Sequence, residues 1–81
     1  MPFFVYIIYS EKFDVYYKGF TEDLNSRLEF HNTNKSKYTS GKGPWKLMYH
    51  EKFDSRSEAM KREKQLKKQN RKYLLWLING A

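Results

Sequence analysis

The 81-residue sequence predicts an α+β fold: a small three-stranded antiparallel sheet flanked by helices, in the order β-β-α-β-α-α. Three observations lead there. An unbroken apolar run rich in β-branched and aromatic residues stands near the N-terminus. Two helix-start signals lie further on, and an aromatic stretch with period-two alternation falls between them. No internal repeat or linker divides the chain, so one domain over residues 1–81 is expected.

Phe3 to Tyr9 reads FFVYIIY, without polar alternation, and suits a central strand covered on both faces. Ser10 to Asp14 supplies a polar turn, and Val15 to Phe20 forms the second strand of an antiparallel hairpin. Thr21 can cap a helix, with Glu22 and Asp23 in its first turn, where negative charge suits the helix dipole. Leu24, Leu28 and His31 then recur at helical spacing, giving a helix over about 22–32. Asn32 to Pro44 is polar and basic and reads as a long loop, of the length that is usually functional.

Trp45 to Phe53 alternates, so Trp45, Leu47, Tyr49 and Phe53 are expected on one face and Lys46, His50 and Lys52 on the other. Ser55 and Glu58 form an S-x-x-E capping box that starts a helix over Arg56 to Gln69. A last helix runs from Arg71 to Ile78, stopped by Asn79-Gly80.

A chain this short buries only about 60% of the surface its unfolded form exposes, so its core needs large side chains. The aromatic share of 19% meets that need. There are no cysteines, which excludes a disulfide frame and a thiolate metal site and fits a reducing cytoplasm. The N-terminal apolar run is far shorter than the about 20 residues that span a bilayer, and it lacks a basic leader. No membrane partner is therefore expected from a span. The net charge of +7 attracts polyanions, with nucleic acid as the first candidate. An anionic membrane surface or an acidic protein is the rival, and a merely basic surface is the plainest alternative.

Several residues stand where composition does not explain them. Arg27 and His31 are four apart on one helix face, beside the Leu24 and Leu28 stripe. Arg27 there can present its fork to a phosphate, or cover the core with its stem. His31 lies near the helix C-terminus, where a capping or packing role is as natural as a catalytic one. Ala59, Glu63 and Leu66 share a face of the second helix, and Asn70 would continue it. A carboxylate between Ala and Leu is costly unless it is paired, for instance with Lys67, or holds a hard cation such as Mg²⁺ or Mn²⁺. Tyr6 and Tyr17 are ordinary strand residues by propensity, yet a buried phenol needs a partner for its hydroxyl. Gly19, on the face of Tyr17, would leave space there for a ligand.

Phe4-Val5-Tyr6, Tyr17-Lys18-Gly19, Arg27, His31, the stretch KYTSGKGPWKLMYHEKF and the helix SRSEAMKREKQLKK follow in an order that resembles the GIY-YIG endonuclease superfamily, in particular its small single-domain bacterial members. The resemblance covers nearly the whole chain. Phe4 stands where the first signature has glycine, and Lys18 where the second has an aliphatic residue.

The resemblance implies a metal-dependent endonuclease of low sequence specificity, cutting nucleic acid (DNA favoured over RNA) and connected with DNA repair or recombination. It implies that Tyr6 and Tyr17 line the site, Arg27 binds the scissile phosphate, and Glu63 holds one Mg²⁺ or Mn²⁺. His31 and Tyr38 would be accessory catalytic groups, and Asn70 a possible late asparagine of the family. Lys18, Lys35, Lys37, Lys42, Lys64 and Lys67 are candidates for phosphate contacts. An unidentified partner for targeting is compatible with this picture, as is a non-catalytic nucleic-acid-binding module on the same fold.

Overall fold

The strand made of FFVYIIYS ends up in the middle of the sheet because both of its faces are apolar. In the computed structural model, which describes residues 1–80, β1 (Phe3–Ser10) pairs antiparallel with β2 (Val15–Thr21) on one side and β3 (Trp45–Phe53) on the other. The strand order is β2-β1-β3. Three helices complete the order β-β-α-β-α-α: α1 (Leu24–Asn32), α2 (Arg56–Lys67) and α3 (Arg71–Ile78). The α+β arrangement is the one the sequence predicts.

The two faces of β1 serve two cores. Val5 and Ile7 pack with Ala59 and Leu66 of α2 and with Leu74 and Leu77 of α3. Tyr6 and Ile8 face the other way and pack with Trp45, Leu24 and Leu28, so α1 covers that side. Period-two side-chain direction turns one strand into the partition between both cores.

The boundaries differ from expectation in small ways. β2 continues to Thr21, so Thr21 does not cap α1; Asp23 does, accepting the Ser26 N–H. Glu22 and Asp23 therefore precede α1 and do not lie in its first turn. Ser55 caps α2 as the S-x-x-E pattern predicts, accepting the Glu58 N–H, but α2 ends at Lys67. Asn70 is the N-cap of α3, its side chain accepting from Tyr73 N.

β3 corrects the expected alternation. Ile7 pairs with Tyr49 but Ile8 with Leu47, so Met48 is an extra residue, a β-bulge. One inserted residue reverses the facing of all that follows. Trp45 packs in the α1-side core, whereas Tyr49 and Phe53 pack against the α2-side core. Leu47 is exposed and joins neither, so the three aromatic residues are split between two cores, and the bulge allows one strand to feed both.

α2 is fixed in rotation by a part-buried network. Arg62 Nε and Nη2 donate to the two oxygens of Glu51 on β3, at 2.8 and 2.9 Å, and the Tyr49 hydroxyl donates to the same carboxylate. The Arg62 guanidinium and the Tyr49 phenol together hold the Glu51 carboxyl below its ordinary range against the effect of burial, which pushes it up. Arg62→Met is expected to destabilise the protein by about 2 kcal/mol, because the part-buried Glu51 carboxylate loses both guanidinium donors and its countercharge and keeps only the Tyr49 hydroxyl. Chemical denaturation checks this, and an unchanged midpoint would mean that the network contributes nothing.

Candidate active site

Glu63 sits on the face of α2 that carries Ala59 and Leu66, both fully buried. That places its carboxylate, with 18% of the side chain exposed, at the β2 edge of the sheet. A cleft of about 860 Å³ lies there, with lining from both faces: Tyr6, Tyr17 and Gly19 from the hairpin, Arg27 from α1 and Glu63 from α2. Two phenols, a guanidinium and a carboxylate from four separate stretches thus share one cleft. Glu22, Asp23 and Ser26 complete its rim on the α1 side.

Tyr6 is 3% exposed, and its ring lies against the backbone of Gly19, its partner across the ladder. A Cβ on residue 19 would come within 2.6 Å of the Tyr6 hydroxyl. The space beside Tyr17 that glycine was expected to leave for a ligand is therefore filled by the Tyr6 ring. Burial, and next the neighbouring Tyr17, push the Tyr6 phenol well above its ordinary range, with Arg27 acting in the opposite sense. Tyr6 keeps its proton at neutral pH.

The Tyr6 hydroxyl is 2.8 Å from His31 Nε2, and His31 Nδ1 is 2.9 Å from Thr39 Oγ1. His31 is only 2% exposed, so it does not line the cleft; it stands behind Tyr6. Thr39 is itself fixed from the far side, where Trp45 Nε1 donates to its carbonyl. The polar loop after α1 is thus anchored at Thr39, and Ser10 Oγ holds it again by donating to the Lys42 carbonyl. Sequence reasoning missed Thr39, since a threonine among Asn, Lys and Ser looks solvated; the nearby Trp45, whose indole needs an acceptor, was the available signal.

Burial, with Arg27 second, lowers the His31 pKa below its ordinary 6.5. The folded state therefore holds the neutral ring, and the unfolded chain binds more protons as pH falls below 6.5. Stability from this group is present above that pH and lost as pH falls toward the folded value. The melting temperature is expected to drop between pH 7 and pH 5, with a shallower drop in His31→Gln. Equal slopes in thermal melts would assign the acid sensitivity elsewhere.

Arg27 is half-buried and lies 4.9 Å over the Phe30 ring, which orients its fork. Glu63 Oε1 lies 3.6 Å from Lys67 Nζ, the i,i+4 ion pair that the sequence also allowed. Phe4, in place of glycine, is an ordinary ladder residue paired with Thr21 and Lys52, and it does not enter the cleft lining.

The remaining sequence candidates lie outside the cleft. Tyr38 is exposed and packs its ring 5.6 Å from that of Tyr17. Lys35 and Lys37 are exposed on the loop, Lys42 donates to the Tyr38 carbonyl, and Lys64 lies on the outer surface of α2. Lys18 points to the face opposite Tyr17, toward Lys67. Asn70 is occupied as a helix cap and is absent from the cleft lining.

The class of domain follows from the family comparison: the chain matches the GIY-YIG catalytic domain model over residues 2–79. The protein belongs to the GIY-YIG family. Relatives within it include UPF0213 proteins. One from Clostridium perfringens is 42% identical over 95% of this chain and 83% of its own length. One from Oceanobacillus iheyensis is 44% identical over 76% of this chain and 73% of its own. The solution NMR structure of a UPF0213 protein from Bacillus halodurans superposes with a TM-score of 0.60 at 35% identity, covering 98% of this chain and 84% of that one. Membership implies nuclease activity in general terms and a nucleic-acid substrate. Among the described residues no helix is long and apolar enough to cross a membrane.

Proposed function

We propose that this protein is a metal-dependent endonuclease that hydrolyses phosphodiester bonds of DNA in the cytoplasm, with low intrinsic sequence specificity. The observation that carries the reading is the shared cleft of Tyr6, Tyr17, Arg27 and Glu63. Glu63 fits a hard divalent cation: one carboxylate oxygen donor at a wet cleft, with water completing the shell, is how Mg²⁺ or Mn²⁺ is commonly held. Among the described residues no cluster of three His, Cys, Asp or Glu side chains forms a closed cage. When bound, the ion supplies Lewis-acid stabilisation of the leaving oxygen.

The chain's own groups do the rest. Arg27 directs two donors at the non-bridging oxygens, where charge develops in the transition state. Tyr6, its proton directed at His31 Nε2, leaves its oxygen lone pairs toward the cleft, where they accept from the attacking water. In that tautomer His31 Nδ1–H donates to Thr39 Oγ1, an arrangement the threonine hydroxyl accommodates. Tyr17, half-buried at the cleft wall, orients the same water with Tyr6. A free phenol titrates near pH 10, so a proton leaving water through Tyr6 needs a sink, and His31 behind it is one.

Low specificity follows from the basic surface, whose phosphate contacts bind without reading sequence. The test is nicking of supercoiled plasmid, branched DNA and RNA with Mg²⁺ or Mn²⁺ and with a chelator. Metal-dependent cleavage of the DNA substrates is expected; cutting that persists in chelator removes the metal from the proposal. Binding should weaken steeply with salt, by about one unit of log K per log salt for each phosphate contacted.

The Lys67–Glu63 ion pair favours a second reading, in which Glu63 is structural and the fold is a non-catalytic nucleic-acid-binding module. That reading predicts gel-shift binding with no cleavage under any metal.

A further inference from the structure

Tyr17 is a wall between two concavities. On its far side from Arg27 lies a groove lined by Tyr16, Tyr17, Lys18, Tyr38 and Lys67. This lining contains three aromatic rings and two ammonium groups, and no carboxylate. Lys18 makes no ion pair among the described residues. It is half-buried, and desolvation together with the nearby Lys67 lowers its pKa. Lys67 is also the ion-pair partner of Glu63 at 3.6 Å, but Lys18 has no anion of its own, so the groove keeps uncompensated positive charge where a phosphate is welcome.

The aromatic part of the groove is of a different kind. The Tyr38 side is open: the residue is 56% exposed although its ring packs 5.6 Å from Tyr17, tilted by 34°. Lys42 Nζ lies 4.2 Å over the Tyr38 ring. An exposed aromatic ring costs solubility and contributes little to a core, so its position beside a cationic groove calls for a ligand with a flat face and a negative charge. A nucleotide has both, and a base laid on Tyr38 would bring its backbone near Lys42 as well.

We propose that this groove binds one unpaired nucleotide next to the scissile phosphate, its base against Tyr38 and its phosphate between Lys18 and Lys67. The proposal rests on the nuclease reading above and narrows it. A base inside a duplex is stacked on both sides and paired, so it cannot also lie on a protein ring without being extruded. The substrate class is therefore DNA with a single-stranded stretch adjoining the cut, such as a flap, gap or loop. Base–aromatic stacking tolerates any base, which agrees with low sequence specificity.

The experiment measures binding, separately from cleavage, by fluorescence anisotropy of the intact protein in chelator. The probes are a single-stranded oligonucleotide, a blunt duplex of the same sequence, and that duplex with a single-stranded flap. Wild type is expected to bind the flap and the single strand more tightly than the blunt duplex. Tyr38→Ala is expected to weaken flap and single-strand binding about tenfold or more, the usual effect of removing one stacking ring, and to leave blunt-duplex binding within about twofold. Tyr38→Phe keeps the ring and should keep the affinity. Lys18→Gln should lower the salt slope by about one contact.

Equal weakening by Tyr38→Ala on all three probes, or no weakening on any, overturns the proposal. If plasmid is still nicked with Mg²⁺ in that case, the nuclease reading stands without it. If wild type binds none of the probes and cuts nothing, both fall.

Discussion

Glu63→Gln is expected to lower Mg²⁺-dependent nicking by about 10³-fold, the scale seen when a single group that stabilises developing charge is removed. The substitution is isosteric and removes the charge that a hard cation requires. It should leave the fold intact, because among the described residues the only ion pair it breaks is the one with the half-exposed Lys67, and such pairs contribute little. A thermal midpoint near wild type with activity gone would separate chemistry from folding. If the variant nicks plasmid at the wild-type rate, Glu63 is the structural partner of Lys67 and the metal must be sought elsewhere.

Arg27→Lys probes the same site from α1. Lysine keeps the charge but loses the planar fork, so a role in holding two phosphate oxygens predicts a large loss, whereas a core-covering stem predicts almost none. If Arg27 and Glu63 stabilise one transition state, the double variant should be little worse than the worse single one.

The parts of this picture that were legible in the sequence are those with local causes. FFVYIIYS could only be a strand covered on both sides, and Ser55 with Glu58 marks a helix start whatever surrounds it. Glu63 stood out because helical periodicity alone puts it between Ala59 and Leu66. What escaped the sequence has non-local causes. The bulge at Met48 leaves no compositional trace; the spacing of Trp45, Leu47, Tyr49 and Phe53 looks like unbroken alternation until β1 imposes its register. His31 looked as available as any helix-end histidine, and it is the Tyr6 and Tyr17 rings from the hairpin and Thr39 from the loop that surround it. Tyr38 falls near the site in sequence order, but its ring packs against Tyr17 outside the Arg27–Glu63 cleft.

Gly19 shows most directly how the hairpin builds the site. The strand ladder sets Tyr6 opposite residue 19, and the Tyr6 ring occupies the volume where a side chain would stand. In Gly19→Ala the new Cβ would meet the Tyr6 hydroxyl at 2.6 Å and its Cζ at 2.8 Å. The ring is 3% exposed and its hydroxyl is tied to His31, so it has to move by several tenths of an ångström or more against packed neighbours. Overpacking of this kind costs about 1–3 kcal/mol of stability. It also displaces the oxygen proposed to hold the attacking water, and a misplacement near 1 Å costs about 100-fold in rate. The two effects can be separated by a double-mutant cycle with Tyr6→Phe. With the hydroxyl already absent, Gly19→Ala should cost much less additional activity but still some stability, because the Cζ contact remains. Full activity and an unchanged melting temperature in Gly19→Ala would mean that residue 19 does not set the position of Tyr6. An equal rate loss in both backgrounds would mean that the hydroxyl is not the group through which Gly19 acts.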